Sequence, residues 1–350
     1  MNYILAVLGL GAIIIIHELG HFVLAKINGV KVNSFTIGFG PKIITHKGKE
    51  TEYALSILPV GGYVEMAGMV SEENIDEAEK EAEAEVEPER LFRNKSALQR
   101  LSIIIAGPIM NMVLALFLFT IVYNTFGFAD TKLGNIMENS PASEVGLLPG
   151  DDIIKVNGNK IYTTEDISIE VSNAKDHELS MEIDRNGELF EIAVTPRFDE
   201  EQQAYLIGIG FSVVENPTFS ESIKHSVDET FTMIIQNCKA ITKLVTGKGS
   251  FKKDIGGPVA IVKMSSSAAK AGVWSLIKLV AMMSIGVGIF NFIPMPLLDG
   301  GRSLLLLIEL ITRRKVPVKV ENVLNTIGVV FLFGLMIIVT IKDILFPINF

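Results

Sequence analysis

The 350-residue chain is 49% hydrophobic and 20% charged, which is too apolar for an ordinary soluble protein and too charged to lie in a membrane throughout. Its net charge of -9 is local, because residues 71–89 hold ten acids and one lysine while the rest of the chain is balanced. No basic face accompanies aromatic residues, which argues against a nucleic-acid partner, and the single cysteine, Cys238, excludes an intrachain disulfide and a structural zinc site built from thiolates.

Hydropathy predicts four membrane-spanning helices in a lipid bilayer, at residues 3–27, 98–128, 274–293 and 327–345. Each has roughly the 20 residues that cross a ~30 Å hydrocarbon core. The first lacks the basic start of a signal peptide, so we expect it to be retained. Basic residues cluster in the first and third connections, which predicts that both are cytoplasmic and that both termini face outside. These residues are Lys26, Lys31, Arg93, Lys95, Arg100, Arg302, Arg313, Arg314, Lys315 and Lys319.

The first span contains the sequence HELGH at residues 17–21. On a helix, His17 and His21 lie one turn apart on the same face, where both can bind one Zn²⁺ while Glu18 works beside them as a general base. Ionisable groups at membrane depth are costly and point to function. The alternative, a chance match on a soluble helix, is disfavoured by this setting. The two histidines lie about 16 and 10 Å inside the end of the span at Ile27, by the helical rise, so we expect the site near the cytoplasmic face.

Residues 32–66 alternate apolar and polar positions with aromatic, glycine and proline punctuation, which predicts a β-hairpin region associated with the membrane beside the helices. A small sheet on the cytoplasmic surface is the alternative. The acidic insertion at 71–89 predicts either a solvated helix or a disordered segment, and we assign it no chemistry.

Residues 129–213 predict a compact α+β domain between the second and third spans. Asn157-Gly158 and Asn186-Gly187 are typical of two-residue hairpin turns. The stretch resembles a PDZ domain, a class that binds extended peptides by strand addition. Residues 214–271 then predict an amphipathic helix from Phe219 to Thr246 and a loop. That helix either lies on the membrane surface or simply links the domain to the second membrane half at 272–350.

A catalytic zinc needs three protein ligands and one open position, so the HELGH motif leaves one ligand to be found. Asp299 follows the third span at the membrane face expected for the two histidines. Pro294 and Pro296 end the helix just before it. A helix cap would also explain an acid at this position, but an intramembrane acid needs a partner. We therefore predict that Asp299 is the third ligand.

Five further motifs follow HELGH along the chain: GFGP at 38–41, PVGGY at 59–63, AGPIMN at 106–111, GGPV at 256–259 and NFIPMPLLDGGR at 291–302. With these motifs in this order, the chain resembles the site-2 protease family of intramembrane zinc metalloproteases, in particular its bacterial RseP/RasP-like branch with PDZ domains. The resemblance implies a polytopic α-helical membrane fold with four transmembrane helices and one inserted extracytoplasmic PDZ domain.

The resemblance also implies roles for named residues. It assigns the metal to His17, His21 and Asp299, catalysis to Glu18, and part of the substrate site to Asn291, Pro294 and Pro296. We further expect Gly61 and Gly62 of the hairpin region, and Asn111 of the second span, to contact an unwound substrate. Asn111 would serve equally well to hold helices together.

The expected activity is zinc-dependent cleavage of transmembrane segments, with one Zn²⁺ per chain in a bacterial cell membrane. The family suggests single-pass membrane substrates such as anti-sigma factors or signal-peptide remnants, cut after a first extracytoplasmic cleavage. The PDZ-like domain is expected to act as a size filter or as a receptor for a peptide tail. Two non-proteolytic alternatives are a proton-coupled transporter, which would show inverted hydropathy repeats that this chain lacks, and a PDZ scaffold, in which Glu18 would be dispensable.

Overall fold

The computed structural model describes residues 2–70, 77–250 and 255–346. The chain divides into two compact units, one formed by Met1–Ala115 with Asn237–Phe350 and the other by Leu116–Gln236. The first six residues of the acidic insertion, 71–76, lie outside the described residues.

The elements follow the predicted order of membrane helices, hairpin and inserted domain. The N-terminal part contains α1 (Asn2–Ile27), β1 (Val32–Lys47), β2 (Glu52–Met66), α2 (Glu77–Ala84), 3₁₀ turns at Pro88–Arg90 and Phe92–Asn94, and α3 (Ala97–Phe126). The middle part contains β3 (Phe128–Ile136), α4 (Pro141–Glu144), β4 (Asp152–Val156), β5 (Asn159–Lys160), α5 (Thr164–Ala174), β6 (Leu179–Arg185), β7 (Glu188–Val194), β8 (Arg197–Asp199), β9 (Ala204–Leu206), β10 (Ile209–Val214) and α6 (Phe219–Val245). The C-terminal part contains α7 (Pro258–Ala271), α8 (Val273–Phe292), α9 (Asp299–Thr312) and α10 (Val318–Leu345).

Four described helices are long and apolar enough to cross a membrane, namely α1, α3, α8 and α10. The residues after α1 show why the helix ends at Ile27. Gly29 has φ +69°, and the Val30 N–H donates to the Ala25 carbonyl at 2.9 Å. Glycine adopts this left-handed conformation without a Cβ clash, and the backbone bond closes the helix. The predicted stop after Ile27 is therefore confirmed.

The last helix begins before the predicted fourth span. We expected the span to start at about residue 327, and α10 begins at Val318, directly after Pro317. Hydropathy missed the first turns because they contain Lys319 and Glu321. A proline just before a helix is compatible with helix initiation because its fixed φ and missing N–H cost nothing there.

The hairpin of β1 and β2 folds into a sheet with four segments. Residues 34–37 of β1 pair on one side with 62–65 of β2 and on the other with 52–55, which in turn pair with 44–47. This arrangement is possible because both strands bend at irregularities in the register. Segment 61–66 is one edge of the sheet, and among the described residues no strand pairs with its outer side.

The bent part of the hairpin, where both strands change register, is strongly apolar. Its large side chains are more than half exposed, and they belong to Phe39, Ile43, Ile44, Ile57 and Leu58. Exposed apolar patches of this kind mark contact with a membrane or another apolar partner. The hairpin is thus suited to the membrane-associated position predicted for it.

The described part of the acidic insertion forms the short helix α2. Near its end, the Glu83 carboxylate accepts a hydrogen bond from the Gly68 N–H at 2.7 Å and pairs with Arg93. Over residues 77–84 the insertion is therefore helical and held in place. Of the two predicted alternatives, a solvated helix and a disordered segment, the structure has the helix here.

The unit at Leu116–Gln236 contains a sheet with strand order β10-β3-β4-β6-β7, in which β5 also pairs with β4. Asn157 and Gly158 have φ of 50° and 76°, and Asn186 and Gly187 have 57° and 90°, as type I′ turns require. Both predicted Asn-Gly hairpins are confirmed. Its core of buried residues includes Leu133, Ile153, Leu179, Met181 and Ile183.

An ion pair and a set of carboxylate–backbone hydrogen bonds hold the C-terminal helices of the first unit. Arg100 of α3 pairs with Glu309 of α9, and both side chains are largely buried. Near the end of α10, the Asp343 carboxylate accepts hydrogen bonds from the N–H groups of Gly257 and Ala260 at 3.0 and 2.9 Å. A carboxylate at the start of α7 satisfies backbone donors that a helix leaves free, which gives the GGPV motif a structural role.

Candidate metal and catalytic site

His17 and His21 share one face of α1, as their spacing predicts. Their Nε2 atoms lie 3.2 Å apart, and their rings meet edge to face. Both side chains are buried, with 8% and 7% of their surface exposed. Two imidazoles thus direct ring nitrogens at one point inside a helical, apolar setting.

Asp299 reaches the same point from the other end of the sequence. Its Oδ2 lies 3.0 Å from His17 Nε2 and 3.4 Å from His21 Nε2. After α8 ends, Leu297 adopts φ +74° and turns the chain into α9. A Cβ atom on Gly300 would lie 2.2 Å from the Ile293 carbonyl oxygen, so only glycine permits this tight return.

The three ligand atoms fit a tetrahedral zinc. Zinc bonds of about 2.0–2.1 Å place neighbouring N and O ligands roughly 3.3 Å apart, and the observed separations are 3.0, 3.2 and 3.4 Å. Asp299 Oδ2 is buried without a hydrogen-bond donor. Lone pairs that converge in this way repel one another unless a cation lies between them. The described residues contain this group of His17, His21 and Asp299 as a potential metal site.

Helix α3 supports both imidazoles from behind. His21 Nδ1 lies 2.9 Å from the Ile103 carbonyl oxygen, which makes Nδ1 the protonated nitrogen and leaves the Nε2 lone pair free. His17 Nδ1 lies 3.2 Å from the side-chain amide of Asn111. Pro108 interrupts the hydrogen-bond ladder of α3 in the intervening turn.

Two glycines allow α1 and α3 to approach closely at the site. A Cβ atom on Gly20 would lie 2.4 Å from the Ala106 carbonyl oxygen, and one on Gly107 would lie 2.4 Å from His21 Nε2 and 2.8 Å from His17 Cε1. Any larger residue would have to displace backbone or an imidazole. The AGP sequence in α3 therefore makes space for the ligands.

Glu18 lies on the wall of a cavity of about 240 Å³ that also contains the three ligands and Asn291. A Cβ atom on Gly62 would lie 3.5 Å from Glu18 Cγ, so the edge segment 61–66 runs beside this carboxylate. The arrangement places a base, three metal ligands and an unpaired strand edge around one space.

A second cavity of about 380 Å³ shares Met69, Ile104 and Arg302 with the first. Its lining is rich in charged side chains, which include Arg93, Arg100, Glu309, Lys315 and Glu321. The two cavities are thus neighbours that share part of one wall.

The structure places the predicted substrate residues at different distances from the cavity. Asn291 lines it, and its Nδ2 donates to the Val287 carbonyl at 3.1 Å. Pro296 packs instead on the last span, since a Cβ atom on Gly328 would lie 2.7 Å from Pro296 Cβ. Pro294 is exposed outside the lining, and Asn111 is fully buried behind His17.

The hairpin glycines differ from each other. Gly61 has φ +97°, and a Cβ atom there would lie 2.0 Å from the Phe39 ring, so this position serves the bend of the strand. Gly62 faces Glu18. Tyr63 and Arg302, which line the cavity, and the Ile103 carbonyl were not predicted as parts of the site. A backbone acceptor leaves no trace in the sequence, but the proximity of Arg302 to Asp299, three residues apart on a helix, was a usable signal.

A two-histidine, one-aspartate site with an adjacent glutamate, set among helices that can span a membrane, defines a membrane-embedded metallohydrolase. The model of Peptidase family M50 matches residues 5–335, and the chain belongs to this family of site-2 proteases. It is a zinc metalloendopeptidase and a multi-pass membrane protein, as the sequence resemblance implied.

Full-length relatives agree with this assignment. The chain is 43% identical to a protein of Clostridium acetobutylicum over 100% of this chain and 99% of that protein, and 42% identical to one of Clostridium perfringens over 99% and 100%; both are named as zinc metalloproteases. It is 29% identical to the protease Eep of Enterococcus faecalis over 95% and 96%. A PDZ domain from Listeria monocytogenes aligns with 24% of this chain and 88% of that domain, at 15% identity and a TM-score of 0.22.

Proposed function

We propose that the protein cleaves transmembrane segments of single-pass membrane proteins, in a bacterial cell membrane, with one zinc ion per chain. The observation that carries this proposal is the convergence of His17, His21 and Asp299 within 3.4 Å of one another, with Glu18 in the same cavity. The ligands come from α1 and from the first residue of α9, which follows the apolar helix α8, so the chemistry lies among helices that can span a membrane.

In this proposal His17, His21 and Asp299 hold the zinc and Glu18 moves the proton. The bound ion would polarise the scissile carbonyl and lower the pKa of water toward ~7. Glu18 accepts a proton from the attacking water and delivers it to the leaving nitrogen. Asn291, whose side chain lines the cavity, is placed to hydrogen-bond the backbone of the substrate.

Water has to reach a site surrounded by apolar helices. The charged cavity that shares Met69, Ile104 and Arg302 with the catalytic one supports a route for it. Basic residues flank this end of the spans, so we place the catalytic cavity toward the cytoplasmic leaflet and both termini and the inserted domain outside the cell.

A substrate helix must unwind before it can be cut, because its backbone groups are already paired. The outer side of segment 61–66, which no strand in the described part of the chain covers, offers a template for the unwound segment by strand addition. Its proximity to Glu18 through Gly62 supports this orientation. The exposed apolar side chains at the bend of the hairpin support a position of the sheet at the membrane.

Among the described residues, the metal cluster consists of His17, His21 and Asp299, which all lie outside residues 129–213 in the sequence. We propose that this PDZ-like unit acts as a filter that excludes substrates with large extracytoplasmic domains, so that anti-sigma factors or signal-peptide remnants are cut only after a first cleavage. Deletion of residues 129–213 tests this idea. A filter predicts premature cleavage of the uncut substrate, whereas a receptor for peptide tails predicts loss of cleavage.

The decisive experiment compares Glu18→Gln with His17→Ala in the full-length protein. Cleavage of a membrane-anchored test substrate and zinc content are measured on the same purified samples. We expect Glu18→Gln to retain zinc and lose cleavage, and His17→Ala to lose both. Glu85→Gln, at an exposed acid, serves as the matched control. Unchanged cleavage by Glu18→Gln would defeat the proposal, because the reaction would then not need Glu18 as its base. A scaffold or a transporter is the alternative that such a result would favour.

A further inference from the structure

The side chain of Asn111 is placed against a metal ligand rather than in the open cavity. It is fully buried in α3, and its Nδ2 lies 3.2 Å from His17 Nδ1. Its Oδ1 is buried without a donor. An amide at this depth with an unsatisfied oxygen costs stability unless a partner is available.

The Nδ1–H group of His17 can be that partner. His17 Nε2 is the nitrogen that faces Asp299 and His21, and it can bind a cation only through its lone pair. A neutral imidazole then carries its proton on Nδ1. An NH₂ group facing an N–H group would put two donors together, which is repulsive.

A rotation of the Asn111 amide by 180° replaces the contact between two donors by a hydrogen bond, and it moves the NH₂ group to the position that Oδ1 occupied. The orientation of a side-chain amide is assigned from its hydrogen bonds, since its N and O atoms occupy equivalent positions. After the rotation, Oδ1 accepts the hydrogen bond from His17 Nδ1–H, and the oxygen is no longer without a donor. The Ile103 carbonyl already serves His21 in the same manner, at 2.9 Å.

The backbone around Asn111 is fixed by α8. Ser284, which is fully buried, donates its hydroxyl to the Asn111 carbonyl at 2.8 Å. A Cβ atom on Gly288 would lie 3.3 Å from Asn111 Cβ, so α8 packs directly on this residue. The amide therefore has a fixed point of attachment from which to orient an imidazole.

We propose that Asn111 is a positioning residue that fixes the tautomer and ring orientation of His17 for zinc through an Oδ1 acceptor. The inference rests on the proposed metal site and replaces the substrate contact that we expected for Asn111. Outer hydrogen-bond partners of metal-bound histidines typically contribute 10–100-fold to metal affinity.

Three full-length variants test the proposal by zinc competition with a chelator in detergent. Asn111→Leu removes the acceptor at similar volume, and we expect zinc affinity about 10–100-fold weaker. Asn111→Asp keeps an acceptor oxygen, so we expect affinity within a few-fold of wild type. Thr120→Val is the matched control, because it removes a buried hydroxyl from the same helix away from the ligands, and it should leave affinity unchanged.

Each contrary result has a distinct meaning. Wild-type affinity in Asn111→Leu would overturn the proposal, as would equal weakening in Asn111→Asp, which would show that the amide N–H is the group required. Asp299→Ala distinguishes failure of the metal site from failure of the role of Asn111. If Asp299→Ala retains zinc, the metal site itself is refuted. If Asp299→Ala loses zinc while Asn111→Leu binds it with normal affinity, only the role of Asn111 is refuted.

A measurement on the unmodified protein covers the case in which a variant fails to fold. The chain has five histidines, so ¹⁵N labelling of this residue type gives a resolvable NMR spectrum. We expect His17 in the zinc-loaded protein to carry its proton on Nδ1. A protonated Nε2 would overturn the proposal.

Discussion

Gly107 of α3 lies directly beneath His21 of α1, so that a Cβ atom at position 107 would meet His21 Nε2 at 2.4 Å and His21 Cε1 at 2.6 Å. Contacts this short force one partner to move, and the imidazole is the movable one because the backbones of both helices are packed. The glycine is thus part of the geometry that brings the ligands together.

We therefore predict that Gly107→Ala displaces the His21 ring, lowers zinc content at a fixed chelator concentration and reduces cleavage by at least ten-fold. The matched control is Gly334→Ala in α10, where a Cβ atom meets nothing within 4 Å. Alanine favours helix by about 0.5–1 kcal/mol over glycine, so this control should be neutral or slightly stabilising. Full zinc occupancy in Gly107→Ala would contradict the prediction.

The buried pair of Arg100 and Glu309 fixes α9, the helix that begins with Asp299. Removal of one partner leaves an unpaired buried charge, which costs about 3–5 kcal/mol. We expect Arg100→Glu or Glu309→Arg alone to lower the thermal unfolding midpoint in detergent and to weaken zinc retention. The double swap Arg100→Glu with Glu309→Arg should recover much of both. Single variants that behave as wild type would show that the pair does not hold α9.

Glu50 gives the hairpin a defined acid sensitivity. Burial would raise its pKa, but hydrogen bonds from Arg90 and Lys26 outweigh burial and lower the pKa from 4.5 to about 2. A carboxyl with a depressed folded-state pKa stabilises the fold above its unfolded pKa, and that contribution is lost as the pH falls from about 4.5 to about 2. Glu50→Gln should abolish this part of the pH dependence of the unfolding midpoint. Exposed Glu89→Gln should keep the wild-type profile, and an unchanged profile in Glu50→Gln would refute the assignment.

Asp151 and Arg185 stabilise the inserted unit. The Arg185 guanidinium donates to both carboxylate oxygens at 2.7 and 2.8 Å, and the Leu148 N–H donates to Oδ2 at 2.8 Å. Burial raises the pKa of Asp151, but these donors bring it below its usual value. Because hydrogen bonds to charged groups contribute about 1.5–3 kcal/mol, Asp151→Asn should lower hydrogen-exchange protection of β4 and β6 in the full chain by a corresponding amount. Asp176→Asn, at an exposed acid, should leave it unchanged.

The spans, the HELGH helix and the Asn-Gly hairpins could be predicted from the sequence because each depends on a local pattern. The patterns are apolar length, a spacing of four residues and a left-handed turn. Asp299 was found from one further premise, that a ligand must lie at the same membrane face as the histidines. The double pairing of residues 34–37 was not predictable, because it depends on bends in both strands that no residue pattern specifies. The contact between Asn111 and His17 depends on helix packing, and the sequence left its role open between substrate and helix contacts.

The ligand set of this protein is divided between residues 17–21 and residue 299 of the chain. His17 and His21 leave the ribosome first, and Asp299 follows only after the inserted domain and a further span have been made. At ordinary rates of synthesis the delay is on the order of tens of seconds. During that interval the newborn chain holds two imidazoles without their carboxylate, so the three-ligand set cannot form until residue 299 has been made.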